Sequence, residues 1–408
     1  MPVLTTYIGA TTPTGRVDVT CDPATGLIVG VAPHGADSPV PPDHVDMTGH
    51  LVLPGLVEAH AHLDKVFLVD RVDNPQGDLM GAIAGIEAIR PTITHDDIVA
   101  RATRAAIALS RNGVTSVRTH DDLTTTGGLT PLLALLETRR RCAQFIDIEV
   151  AMLLGWPLTG PDADRTLALA REAASAGAHV VGGCPHLDDD PGGAVEALFQ
   201  VAVAHGLPLD FHADENLRPG SNDLGMIADA AARIGFTRRI NASHCVSLSV
   251  KDPREVRAIA DKVAAASVSV TVLPQTNLFL QSRDRSTGQT RAIAPVDLLR
   301  ESGVNVAAGG DNAQDPFNPV GRLDPLETAS LLVMAAHQDT ASALDMVTAR
   351  ASAMMHGDPH LVEPGHPADL VFVPASNVRE AVAMGPPART VVKGGRVVTD
   401  TDRATALG

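Results

Sequence analysis

Two histidines one residue apart, His60 and His62, end the apolar run Leu56-Val-Glu-Ala-His-Ala-His62. On an extended strand residues i and i+2 point to the same face, so both imidazoles can reach one metal ion from one side. Alone, a His-x-His pair is a weak signal. Three further stretches strengthen it: His212-Ala-Asp-Glu215, Ser243-His244 and Gly309-Gly-Asp311-Asn312. Each closes an apolar, β-branched run, where a strand would end. Strand ends carrying His, His with Glu, His and Asp describe one site assembled at one end of a barrel. Taken singly, each residue has a blander reading. His244 alone is a hydrogen-bonded core histidine, Glu215 a surface carboxylate and His212 a strand-end residue.

The elements that must position these groups follow from the pattern on either side. From Leu56 onward, apolar strand-like runs alternate with Ala-rich helical runs. The strands are expected at Leu56–His60, Val114–His120, Phe145–Leu154, His179–Gly183, Leu207–Ala213, Ile240–His244, Val268–Leu273 and Val304–Gly310. Helices are expected between them, beginning with Leu79–Ile89 and Asp96–Ser110, and one more at Ala341–Met355. Continuous apolar strands alternating with amphipathic helices imply a parallel sheet covered on its outside. The fold class is therefore α/β, a (β/α)8 TIM-like barrel over residues 56–357, with active-site groups at the strand C-termini. The turn-punctuated runs Val3–Ile8, Val17–Thr20 and Leu27–Val31, together with Asp369–Val373, Thr390–Val392 and Arg396–Thr399, read as a small β-sandwich. It is formed by both chain ends, residues 1–55 with 358–408. The stretch Gln281–Thr290 reads as a loop over the site.

Composition bounds the partners. The chain has 408 residues, 44% hydrophobic, 20% charged and only 2% aromatic, so its core must be mostly Ala, Val, Leu and Ile. A net charge of −16 argues against nucleic acid, because phosphate binding needs clustered Lys and Arg. No apolar run reaches the length of a membrane span, and the N-terminus lacks the basic and apolar regions of a signal peptide. The cysteines Cys21, Cys142, Cys184 and Cys245 are scattered without a CxxC or disulfide-like framework. That usage fits a reducing cytoplasm.

The whole arrangement resembles the amidohydrolase superfamily, in its cytosine-deaminase-like branch. The resemblance rests on Pro54-Gly55 before the His-x-His, on His60-Ala-His62-Leu-Asp-Lys65, His212-Ala-Asp-Glu215, Ser243-His244 and Asp311-Asn-Ala-Gln-Asp-Pro-Phe317, and on Ala368-Asp-Leu-Val-Phe372. It implies that His60, His62, His212 and Asp311 hold one divalent metal ion, Zn2+ or Fe2+, whose bound water ionises near neutral pH. A binuclear relative would carry a Lys at the end of strand 4, but here that strand ends Val180-Val-Gly-Gly-Cys-Pro185. A mononuclear site is expected. The resemblance also implies that Glu215 shuttles a proton to a ring nitrogen and then to the leaving amine, that His244 orients the attacking water, and that Asp311 can accept a proton.

On the substrate side the chain departs from cytosine deaminases. Met152-Leu-Leu154-Gly-Trp156 lacks their Gln, Asn312 replaces a second Asp, and Phe317 replaces a Trp. Lys65 and Asn312 look more like the N-isopropylammelide amidohydrolases, in which these positions face the substrate. Lys65, Asn312, Leu154, Trp156 and Phe317 are the expected substrate contacts, and Trp156 is suited to stack on a flat ring. Asp64 and Asp214 read equally as braces of the metal histidines or as catalytic groups, while His120, Asp122 and His186 read as structural. The implied activity is a metal-dependent aminohydrolase of a small nitrogen heterocycle such as a pyrimidine or triazine. The alternatives are hydrolysis of a cyclic amide at the same centre or, more remotely, an inactive binding or scaffold member. The implied partner is a small heterocyclic molecule, with neither nucleic acid nor membrane, and the resemblance allows a homo-oligomer.

Overall fold

The computed structural model describes residues 4–35 and 44–401. The expected strand at Val3–Ile8 begins outside the described residues and is observed as Thr5–Thr12. Both chain ends build one sheet. Leu51–Pro54 lies between Thr5–Thr12 and Leu370–Val373, and the sheet continues through Thr390–Lys393 to Arg396–Asp400 on one side and through Gly15–Asp22 to Leu27–Pro33 on the other. The two-residue period of Leu51-Val-Leu53 sorts its side chains. Val52 joins the core of this sheet, with Tyr7, Val19, Ile28, Leu370 and Phe372, while Leu51 and Leu53 join the barrel core.

The barrel strands are Leu56–Ala61, Val114–Leu123, Asp147–Leu154, Val180–Gly183, Leu209–Ala213, Ile240–His244, Val268–Val272 and Val306–Ala308. Each pairs in parallel with the next in sequence order. Helices between the strands cover the outside with small side chains, Ala102, Ala105 and Ala106 among them, all fully buried. This is the (β/α)8 arrangement expected for such an alternation.

Closure between the eighth strand and the first uses no regular ladder. Ala61 and Asp311 form an isolated parallel bridge. The Asp311 amide donates to the His60 carbonyl at 2.9 Å, and the Gly310 amide donates to Glu58 Oε1 at 2.8 Å. The eighth strand, Val306–Ala308, is shorter than the expected Val304–Gly310; the Val304 amide donates to the Leu299 carbonyl of the preceding helix, and past Ala308 the buried Glu58 carboxyl occupies the flank. A Cβ on Gly309 would lie 2.7 Å from Glu58 Oε1 and 3.0 Å from the His60 amide nitrogen. Glycine is the residue that permits such close approach.

Two further differences from the sequence reading have local causes. The helix expected over Ala341–Met355 is two helices, Thr340–Met346 and Ala349–His356. Thr348 leaves helical geometry between them, at φ −130° and ψ −100°. The freed Val347 carbonyl accepts from the Val57 amide at 2.9 Å, anchoring the helix pair to the first barrel strand. A short helix, Pro274–Leu280, follows the seventh strand, where no helix was expected. Seven residues with proline in the first turn carry too little periodicity to stand out. Among the described residues, no helix is long and apolar enough to cross a membrane.

Candidate active site

The strand ends converge. His60 and His62 leave the first strand, His212 the fifth, His244 the sixth, and Asp311 follows the eighth. The Nε2 atoms of His60, His62 and His212 form a triangle with sides of 3.2–3.3 Å. Asp311 Oδ1 lies 3.2 Å from His62 Nε2 and 3.5 Å from His60 Nε2. Bonds of about 2.0–2.1 Å at tetrahedral angles separate zinc ligands by about 3.3 Å, so these spacings fit a shared small cation. All four side chains are buried, and neither Asp311 carboxylate oxygen has a hydrogen-bond partner. Buried polar atoms are rarely left without one, and two orphaned carboxylate oxygens facing imidazole nitrogens point to an ion. Burial, reinforced by the neighbouring imidazoles, holds His60 and His212 well below the usual histidine range, so both are neutral and able to donate a lone pair.

Backbone geometry aims these groups. His244, Cys245, Asp214 and Asp311 all have positive φ, between 51° and 70°. For side-chain-bearing residues this left-handed region costs on the order of 1–3 kcal/mol and clusters at functional sites. Here it turns each chain segment sharply as it leaves its strand.

Glu215 sits at the same end, buried, and burial pushes its carboxyl well above the usual range, with Asp311 adding to the effect. Its Oε1 lies 3.7 Å from His244 Nδ1. That nitrogen has a closer partner, Asn277 Oδ1 at 3.0 Å. Because a side-chain amide oxygen only accepts, Nδ1 carries the proton and His244 Nε2 keeps its lone pair. Burial lowers the His244 pKa to about 4, which keeps the ring neutral. Asn277 was not singled out in the sequence. It sits on the short Pro274–Leu280 helix, and no spacing rule linked it to His244.

The cluster lies in a cavity of about 360 Å³. All of the expected substrate contacts line it: Lys65, Leu154, Trp156, Asn312 and Phe317, with His62, His212, Glu215, His244 and Asp311. Trp156 is 42% exposed there, so it presents a face rather than filling the core. Lys65 is less free than the sequence suggested. Its Nζ donates to Asp122 at 2.7 Å, lies 2.9 Å from His62 Nδ1 and sits 5.8 Å from the Phe317 ring centroid. Burial lowers its pKa, but Asp122 and Asp64 outweigh that and keep the ammonium charged. One Asn312 amide proton goes to Asp315 at 2.7 Å. The sequence reading missed the wall opposite, where Leu79, Ile83 and Ile86 line the cavity along one face of the helix Leu79–Ile89. Their spacing marks an apolar stripe, but only the fold shows that it faces a cavity. The Gln281–Thr290 loop flanks the site rather than roofing it. Gln281 donates to the Glu215 carbonyl at 3.4 Å, and the lining residues include none of the loop.

The carboxylates of Asp64 and Asp214, read as braces or as catalytic groups, both accept from backbone amides. Asp64 accepts from the Asp122 amide, and Asp214 accepts from the amides of Asp223 and Leu224. His186 braces one of the metal-set histidines, donating from Nδ1 to the His212 carbonyl at 3.1 Å. His120 stacks on His60 with centroids 4.0 Å apart.

Comparison with known proteins agrees with this geometry. A sequence model of the amidohydrolase family matches residues 86–399. The pterin deaminase of Rhizobium rhizogenes is 31% identical over 405 residues, covering 96% of this chain and 91% of that protein. The crystal structure of 5-methylcytosine deaminase from Klebsiella pneumoniae, liganded with 5-fluorocytosine, superposes with a TM-score of 0.90 at 28% identity, covering 97% of each chain. N-isopropylammelide isopropylaminohydrolase from Burkholderia multivorans superposes with a TM-score of 0.83 at 29% identity, covering 98% of this chain and 99% of that one. A family match over most of the length, on a barrel with these groups at its strand ends, makes this chain a hydrolytic enzyme of the amidohydrolase family.

Proposed function

We propose that this chain is a metal-dependent aminohydrolase that replaces an amino group on a flat nitrogen heterocycle by a carbonyl oxygen, releasing ammonia. The observation that carries the reading is a protonatable, buried Glu215 beside a four-residue ligand set at the floor of a 360 Å³ cavity. His60, His62, His212 and Asp311 would hold one ion. Three imidazoles and a carboxylate suit Zn2+ or Fe2+. When bound, such an ion lowers the pKa of a water molecule into the neutral range.

The remaining work belongs to the side chains. Glu215, its proton affinity raised by burial, takes the proton that the attacking water gives up. It hands this proton to the ring nitrogen beside the reacting carbon and then helps the amine depart. The balance is ring C–NH2 plus water giving ring C=O plus ammonia. His244, neutral and held by Asn277, presents Nε2 to orient the attacking water. The charged Lys65 and the amide of Asn312 read the heteroatoms of the ring edge, and Trp156, Leu154 and Phe317 sandwich its faces.

The cavity lies within the range of small-ligand sites, about 300–1,000 Å³, and the apolar stripe of Leu79, Ile83 and Ile86 extends it beyond the ligand set. This supports a bicyclic aminoheterocycle of the pterin kind ahead of a single pyrimidine or triazine ring, in line with the Rhizobium relative. The test is ammonia release by metal-replete protein across pterins, aminopurines, cytosine, isocytosine and ammelide-type triazines. Release from pterins at the highest kcat/KM supports the full reading. Release from another ring class alone overturns the pterin assignment. Ring opening without ammonia overturns the deaminase assignment in favour of cyclic-amide hydrolysis.

A further inference from the structure

Beneath the ligand set, inside the barrel, lies a buried polar chain that the catalytic reading does not use. His60 Nδ1 lies 2.9 Å from Ser243 Oγ. Ser243 Oγ donates to Asp210 Oδ1 at 3.1 Å. Asn241 Nδ2 donates to both, at 2.8 Å to Asp210 Oδ1 and 3.0 Å to Ser243 Oγ. Arg118 Nη1 donates to Asp210 Oδ2 at 2.8 Å, and Arg118 Nε donates to Glu149 at 2.7 Å. His60, Ser243, Asp210, Asn241 and Arg118 are each at most 1% exposed. The chain crosses from the first strand through the sixth and fifth to the second.

We infer that Ser243 and Asp210 are positioning residues that lock His60 in the tautomer and orientation a metal ligand needs, a role that rests on the metal-dependent reading above. The direction of each bond follows from what each atom can do. Arg118 only donates, so Asp210 Oδ2 accepts. The Asn241 amide is fixed because the Asp210 carboxylate only accepts, so Nδ2 faces and donates to it, leaving Oδ1 to accept from Thr271 Oγ1 at 2.9 Å. Ser243 has one hydroxyl proton. It receives a hydrogen bond from Asn241 and gives its own proton to Asp210. Toward His60 it can only accept again, so His60 Nδ1 carries the proton and Nε2 keeps the lone pair. That Nε2 faces His62 Nε2 at 3.3 Å and His212 Nε2 at 3.2 Å. A histidine ligand ordinarily has such an outer partner fixing its tautomer. Here a hydroxyl relays the carboxylate's pull, and Arg118 holds the carboxylate in place. The other two imidazoles lack this device. His62 Nδ1 meets the Lys65 ammonium, and His212 Nδ1 has no hydrogen-bond partner.

The test is Zn2+ affinity by competition with a chromogenic chelator, read alongside urea unfolding. Ser243→Ala removes the relay but leaves Asp210 with Arg118 and Asn241. It is expected to weaken Zn2+ binding by roughly 10–100-fold, the usual cost of losing an outer partner. Ser243→Thr keeps the hydroxyl and is expected to restore most of the affinity. Unchanged affinity in Ser243→Ala overturns the inference, and so does equal weakening in both variants with equal loss of stability. If the wild-type chain binds no Zn2+ or Fe2+, the metal reading itself fails and this role falls with it. Wild-type protein supplies a second readout. In Zn2+-loaded protein with 15N-labelled histidine, the His60 Nδ1 proton is expected to be downfield and to exchange more slowly than that of His212. A rapidly exchanging His60 Nδ1 proton overturns the relay without any variant having to fold.

Discussion

His244 Nδ1 sits 3.0 Å from Oδ1 of Asn277, and this one contact decides which edge of the imidazole is left free at the floor of the cavity. Asn277 is fully buried, and its Nδ2 has no partner, so its side chain serves His244 alone. Asn277→Ala should therefore leave the metal content intact and lower kcat by on the order of 10–100-fold. That is part of the ~10²–10⁴-fold that acid–base and orienting groups supply. Metal analysis and steady-state kinetics on the same preparation check this. A variant that keeps full kcat would remove His244 orientation from the mechanism.

Glu215→Gln keeps the shape of the side chain but cannot take up or release the proton. It should retain the ion and lose turnover by on the order of 10²–10⁴-fold. The buried wild-type carboxyl, pushed up by burial and by Asp311, is matched to this task. Retained turnover would assign the proton shuttle to another group.

Removing the ion should cost stability as well as activity, because a ligand bound only by the folded state stabilises it by about 4 kcal/mol at 1,000 times its Kd. A chelator should lower the thermal midpoint of the wild-type chain and abolish turnover. Asp311→Ala, which lacks one ligand, should start near the lower midpoint and respond little to chelator. Equal chelator shifts in both proteins would remove Asp311 from the ligand set.

Glu58 supplies a pH dependence in the metal-free chain. Burial pushes its carboxyl up to about 8, against the hydrogen bonds from the Gly310 and His60 amides. The unfolded value is near 4.5. Between these limits the folded chain holds a proton that the unfolded chain has lost, so this group's contribution to stability falls as pH rises. Glu58→Gln cannot titrate. The wild type should lose stability relative to this variant as pH rises from about 5 to about 8, read as the difference in urea midpoints in the presence of chelator. A difference that does not change with pH would mean Glu58 is already ionised in the folded chain.

The sequence by itself determined the barrel and which residue types stand at its strand ends. The alternation of apolar strands with Ala-rich helices is local and periodic, and the helix expected at Leu79–Ile89 and the strand expected at Ile240–His244 have those bounds in the folded chain. His60, His62, His212, His244 and Asp311 were legible because a parallel barrel sends every strand C-terminus to one end, so residue type at a strand end translates into position. What the tertiary structure decided are contacts between segments far apart in the chain, for which no period exists. Asn277 reaches His244 across 33 positions and Ser243 reaches His60 across 183. Glu58 occupies the flank of Gly309 and Gly310 beyond the eighth strand, and Lys65 is held by Asp122 before any substrate arrives. Hydrogen-bond partners, tautomers and the shape of the cavity depend on packing in three dimensions, and only the folded chain specifies them.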